Sequence, residues 1–112
     1  MREKGTDKIK VLKKARNIYK TQKLIKILLE YKDQEGSKNI IINSIKITGD
    51  FFLYPEESLE YLEAQLKGTI LDKDMLQEKI DKCLKNSEAF GFDTESMVAA
   101  ILGCVGKGEK YL

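Results

Sequence analysis

The sequence predicts an α+β fold: a small antiparallel sheet of two or three strands, followed by about three helices packed on one of its faces. Two observations predict it. Up to Thr48 the apolar residues favour the two-residue period of a half-buried strand. Beyond Pro55 they recur three and four apart, the period of an amphipathic helix. At 112 residues the chain is long enough for one domain with a single modest core.

The first residues, Met1 to Lys8, are polar and expected to fray. Ile9 to Leu12 can begin a strand or a short helix, and Lys13 to Asn17 does not decide between them. Lys23 to Lys32 is the first clear strand. Ile25, Ile27, Leu29 and Tyr31 share one face and Lys26, Glu30 and Lys32 the other, with Leu24 and Leu28 as exceptions. Asp33 to Ser37 is polar, contains Gly36 and has the length of a hairpin loop. Asn39 to Thr48 returns as an isoleucine-rich strand. A two-stranded ribbon is marginal by itself, so a third strand within Lys8 to Thr21, or a helical cover, is required.

Gly49 can take a positive φ and Asp50 can bond nearby backbone amides, a pair suited to a sharp exit from a sheet. Phe51, Phe52, Leu53 and Tyr54 follow. They serve either as core and cover or, in part, as a docking surface for another protein. Pro55 is expected in the first turn of a helix, with Glu56 and Glu57 at the positive end of its dipole. Leu59, Leu62 and Leu66 form its apolar stripe, and Gly68 stands where a left-handed cap belongs. Asp72 is a good N-cap for a second helix striped by Leu76, Ile80, Cys83 and Leu84, which Asn86-Ser87 ends. Phe90-Gly91-Phe92 reads as a loop whose rings plug the gap to the last helix. That helix is capped by Asp93 or Thr94 and lined by Met97, Ile101, Cys104 and Val105; Gly103, Gly106 and Gly108 loosen its end. The organisation expected is a basic segment over residues 1–19, with room for a first strand, and one domain over residues 20–108.

Net charge is +2 but unevenly spread: residues 1–46 hold 13 basic and 5 acidic residues, the remainder 7 and 13. A basic front suits nucleic acid, an acidic protein or a phosphate-bearing ligand; more simply, strands use lysine on their wet face. The basic arm up to Asn17 has only Tyr19 nearby as a stacking platform, so no nucleic-acid partner is expected. No run of about 18 apolar residues exists, so no membrane span is expected. The charged N-terminus has no apolar segment behind it and is not expected to be a secretory signal. Cys83 and Cys104 are far apart on helix faces, which fits buried thiols in a reducing cytoplasm rather than a metal site or a disulfide.

Catalytic chemistry is not legible. Histidine is absent, which removes the commonest general base and imidazole ligand. No GxxxxGK[ST], GxSxG or CxxC is present. The glycine-rich stretch from Gly103 to Gly108 lacks the strand–loop–helix setting of a phosphate cradle. Glu56, Glu57, Glu60 and Glu63 read as a solvated helix face, and Asp50 as a turn residue. No catalytic residue, metal ligand or bound cofactor is expected of this chain. It reads as a domain that works with a partner.

At the corner the chain resembles a known family. KLIKILLEY, a polar turn, then IKITGDFFLYPEESLEYLEAQLKGTILD is similar to the C-terminal accessory domain of lipoate–protein ligases. The pattern spans roughly residues 20–105, and its specific part is the Gly49-Asp50-Phe51-Phe52 corner with Pro55-Glu56-Glu57. The resemblance implies an accessory subunit of a two-part ligase whose catalytic subunit is a separate polypeptide. The assembled enzyme would activate lipoate with ATP and Mg to lipoyl-AMP. It would then transfer the lipoyl group to a lysine of carrier domains of 2-oxoacid dehydrogenases or the glycine-cleavage H protein. The accessory part would be needed for activation, less so for transfer. The surface expected to meet the catalytic subunit is the basic N-terminal half with Gly49, Asp50, Phe51, Phe52 and Tyr54, and with Lys20 and Lys23 beside them. Thr21-Gln22-Lys23-Leu24 departs from the family's Gly-Gly before Lys-Leu, so Lys20 and Lys23 are not expected to be ligand contacts. The alternative is a non-enzymatic sulfur or iron–sulfur scaffold, or a protein-interaction domain, of similar small α+β fold; a scaffold would show an exposed, reactive cysteine.

Overall fold

Alternation of inward and outward side chains builds the sheet, and the computed structural model describes residues 11–33 and 40–109 of the chain. Strands β1 (Val11–Lys20), β2 (Leu24–Asp33) and β3 (Ile40–Gly49) form a three-stranded sheet in the order β1-β2-β3, antiparallel throughout. The third strand required at the sequence level is β1. The expected hairpin loop after Asp33 lies outside the described residues, as does the segment before Val11.

On β2, Ile25, Ile27 and Leu29 are buried while Lys26 and Leu28 are exposed. Leu28 is therefore an outward residue rather than a lapse in the inward row. On β3 the inward set is Ile42, Ile45 and Ile47, and Ile42 and Ile45 fall on one face despite their odd spacing. The register explains it: Glu30 pairs with Ser44 but Tyr31 with Ile42, so Asn43 is an inserted bulge residue. Its amide donates to the Glu30 carboxylate at 2.7 Å.

Helices α1 (Glu57–Leu66), α2 (Lys73–Lys85) and α3 (Thr94–Glu109) supply the second layer. α3 lies over β1 and β2, α1 lies along β3, and α2 packs against both helices. Leu62, Leu66, Leu76, Ile80, Met97 and Ile101 are fully buried beneath or between them; each such side chain stabilises by about 1.5–3 kcal/mol. The outer edge of β3 is closed by the chain leaving α1, with Ile42 N–H donating to Thr69 O at 2.9 Å and Leu71 N–H to Ile40 O at 2.7 Å. Further along, the Glu63 carboxylate accepts the Ile47 N–H at 2.8 Å. That acid is thus tied to the sheet edge, not merely solvated.

Two short strands went unforeseen. Phe52–Tyr54 (β4) pairs antiparallel with Glu88–Phe90 (β5) in a separate two-stranded ribbon. Pro55 lies after β4 and before α1, not in its first turn: the Tyr54–Pro55 peptide is cis, Glu56 is the N-cap, and the Ser58 N–H donates to Pro55 O at 2.9 Å. Gly68 has φ +86° but does not cap the helix: Lys67 before it is extended, Thr69 N–H closes a turn onto Leu66 O at 3.0 Å, and the Gly68 N–H donates to Ile42 O at 2.7 Å. Asp72 caps α2, accepting the Met75 N–H at 3.1 Å.

The sheet–helix contact contains one buried polar peg. Asn17, on the inward face of β1 and buried, donates its amide to the Ala100 carbonyl of α3 at 3.0 Å. A Cβ at Gly103 would run into that amide, so Gly103 is the gap that admits it. The helix continues past Gly103 as far as Glu109.

Asp93 and Ser96 form a reciprocal cap at the start of α3. Ser96 N–H donates to Asp93 Oδ1 at 2.8 Å, and Asp93 N–H to Ser96 Oγ at 2.9 Å. The Ser96 backbone N–H, and then its hydroxyl, hold the Asp93 carboxyl below the ordinary value of 3.8. Asp93→Ala is expected to cost about 1 kcal/mol, a fall in Tm of about 4–8 °C. A carboxyl lowered on folding stabilises above its unfolded pKa and loses that contribution as pH falls through the folded value. Melts of both proteins between about pH 7 and about pH 2 should therefore show the gap intact near neutrality and closing in acid.

Candidate protein-docking site

The corner between sheet and helices is set by backbone contact. Gly49 has φ +153°, a region that L residues avoid, and a Cβ there would strike the Leu24 carbonyl oxygen. The next amide, Asp50 N–H, donates to that same oxygen at 3.1 Å. The β3 exit is thus pinned to the first residue of β2. The β1–β2 turn lies alongside, closed by Thr21 N–H donating to Lys23 O at 3.1 Å. A Cβ at Gly91, where φ is +95°, would meet the Lys23 stem, so the Lys23 methylenes lie against the chain between β5 and α3.

The structure divides the apolar run between core and surface. Leu53 is buried, and Phe51 is half-buried with its ring edge-on to Phe92, centroids 4.9 Å apart at 67°. Phe52 and Tyr54 point outward, 70% and 62% exposed. Opposite Phe52 stands Phe90, 58% exposed, while Phe92 is buried. Of the two rings expected to plug the gap, only Phe92 does so. The outer face of the ribbon is therefore Phe52, Phe90 and Tyr54, with Glu88 across from Tyr54.

Of the residues singled out from the sequence, Gly49, Phe51 and Lys23 meet at the base of the corner. Lys20 and Lys23 are exposed at the β1–β2 turn. Asp50 is exposed, and its carboxylate has no hydrogen-bond or ion-pair partner among the described residues. Its part in the turn is played by its backbone. Phe90 is the residue that sequence reasoning missed as surface; three-residue strands show too little alternation to be read.

Such a ribbon can bury aromatic area against a partner. Among the described residues no cluster of three His, Cys, Asp or Glu side chains could hold a metal ion. A groove of about 640 Å³ between α1 and α2, walled by Ser58, Tyr61, Lys82 and Cys83, shares no residue with the corner. Also among the described residues, no helix is long and apolar enough to cross a membrane.

The match to a family model decides the relationship. The model described as bacterial lipoate protein ligase C-terminus matches residues 36–101, which include β3, the corner, the aromatic ribbon and most of the helical layer. This chain belongs to that family. Lipoate-protein ligase A subunit 2 of Thermoplasma acidophilum is similar to this ligase C-terminal chain, 40% identical over 50 residues, 45% of this chain and 47% of the relative. The chain thus aligns with about half the length of that curated relative. A solved chain from a Thermoplasma acidophilum lipoylation system, described as a bi-partite lipoate protein ligase and its E2 lipoyl domain, has the same fold. Its TM-score is 0.66 at 25% identity, covering 81% of this chain and 97% of that one.

Both thiols of this family member are buried. Cys83 Sγ donates to Ser58 O at 3.7 Å and Cys104 Sγ to Ala100 O at 3.8 Å, and burial pushes the Cys83 thiol above its ordinary range. A sulfur scaffold needs the opposite, an accessible and acidified thiol. In the native protein neither cysteine is expected to react promptly with a disulfide reagent, and both are expected to titrate in denaturant. Prompt modification of the folded chain would revive the scaffold alternative.

Proposed function

We propose that this chain is the accessory subunit of a two-part lipoate–protein ligase and acts in the activation of lipoate. The observation that carries the reading is the solvent-facing Phe52–Phe90–Tyr54 ribbon, which lies within the segment matched by the ligase family. In this reading the ribbon meets a separate catalytic subunit next to its nucleotide pocket. Closure there expels water from the mixed anhydride of lipoyl-AMP and holds the pocket loops in their reactive arrangement. ATP, Mg and lipoate are bound by the assembled enzyme, and no residue here is assigned to hold them. The acceptor is a lipoyl carrier domain, of the kind named with the Thermoplasma system. The setting is the cytoplasm.

The test is AMP formation from ATP and lipoate by the purified catalytic subunit, with and without this chain, beside transfer from supplied lipoyl-AMP. Activation that requires the chain while transfer does not is the expected result. Loss of both steps without it would mean that the chain only stabilises its partner by mass action. No change in either step overturns the reading.

A further inference from the structure

One face of the β1–β2–β3 sheet carries no helix, and no described residue covers it. Its cross-strand rows follow from the register: Lys14 with Glu30 and Ser44, Arg16 with Leu28 and Lys46, Ile18 with Lys26 and Thr48. Ile18 is 61% exposed and Leu28 56%. Leu28, at the middle of the central strand, is thus flanked directly by two cations. Glu30, the one acid in these rows, is occupied by Asn43 and Ser44 at 2.7 and 3.3 Å.

Of these rows only Lys14 with Glu30 sets opposite charges across strands. Side chains on neighbouring strands stand about 5 Å apart, where opposite charges stabilise and like charges repel. A solvated face built for stability alternates the two signs; this one gathers cations around exposed aliphatic side chains. An apolar centre with a charged surround is the anatomy of a protein interface. It does not suit single-stranded nucleic acid, whose bases stack on aromatic platforms: Tyr19 belongs to the inward row of β1, and the outward positions in these rows are aliphatic, charged or hydroxyl. Nor do the chain's first ten residues complement it, since they hold four basic and two acidic side chains.

Building on the accessory-subunit reading, we propose that this open sheet face docks an acidic patch of the catalytic subunit. Leu28 is the apolar anchor, and Arg16, Lys26 and Lys46 supply the complementary charge. The aromatic ribbon is then a second contact, and the sheet face keeps the chain attached while the pocket opens and closes. The charges steer encounter and set its salt dependence; Leu28 slows dissociation.

The experiment is surface plasmon resonance with immobilised catalytic subunit, against the full chain and two variants, Leu28→Glu and the Lys26→Glu, Lys46→Glu pair. All three positions are exposed, and thermal melts check that the variants fold. Leu28→Glu should weaken binding at least tenfold. The charge-reversed pair should associate at least tenfold more slowly at low salt, with the difference shrinking as the Debye length contracts. Unchanged binding of both variants to a subunit that binds and is activated by the wild type overturns the docking face alone. A wild type that neither binds nor activates the subunit overturns the accessory-subunit reading and this inference with it. Variants that lose affinity only for a purified lipoyl domain, or only for duplex DNA run in parallel, overturn the choice of occupant.

Discussion

Gly49→Ala is expected to destabilise the chain by about 3 kcal/mol or more. The added Cβ would strike the Leu24 carbonyl oxygen, which is backbone and already accepts the Asp50 N–H. Neither side can yield without parting the end of β3 from the start of β2, and φ +153° is itself strained for an L residue. Gly68→Ala is the control. Its φ is +86° but no atom lies within 4 Å of the built Cβ, so only the left-handed penalty of about 1–2 kcal/mol applies. Urea titrations of the two variants should differ clearly in midpoint; equal losses would mean that the Leu24 contact relaxes freely.

The second large effect is on activity. On the accessory-subunit reading proposed above, replacing both Phe52 and Phe90 by serine is expected to lower lipoate activation by the assembled ligase about a hundredfold or more below saturation. Two aromatic anchors each contributing about 1.5 kcal/mol to a partner contact give that loss. Transfer from supplied lipoyl-AMP should remain near the wild-type rate, and stability should change by no more than about 0.5 kcal/mol, because both rings are mostly exposed. Leu53→Ala separates surface from core: it leaves the outer ribbon face intact, but Leu53 is buried, and its truncation costs about 2–5 kcal/mol. Full activation by the double serine variant would remove the ribbon from the interface.

The sheet and helices were legible where a period ran long enough to be counted. Ile25, Ile27 and Leu29 show the pleat of β2 directly, and Leu76, Ile80 and Cys83 the inner stripe of α2. The Asp72 cap and the left-handed Gly68 followed from local chemistry. What failed to show depends on pairing between distant residues. Nothing in Ile40 to Ile47 announces that Asn43 is skipped, because a bulge is a relation to the neighbouring strand. The β4–β5 ribbon joins two triplets separated by two helices, each too short to carry a pattern. Hence the aromatic corner was found, but one of its three outward rings, Phe90, was assigned to the interior.

The Asn17 peg determines more than one hydrogen bond. Apolar contacts such as those of Met97 and Ile101 are indifferent to direction, and a helix held by them alone could shift by a turn, about 5.4 Å, and find comparable neighbours. After such a shift the gap left by Gly103 would no longer stand opposite the Asn17 amide, which could then not approach a helix carbonyl as it does at Ala100. A buried donor left without its acceptor costs about 1–3 kcal/mol. One amide therefore makes the seating of α3 on β1 single-valued: it acts as an alignment key, which a greasy interface lacks.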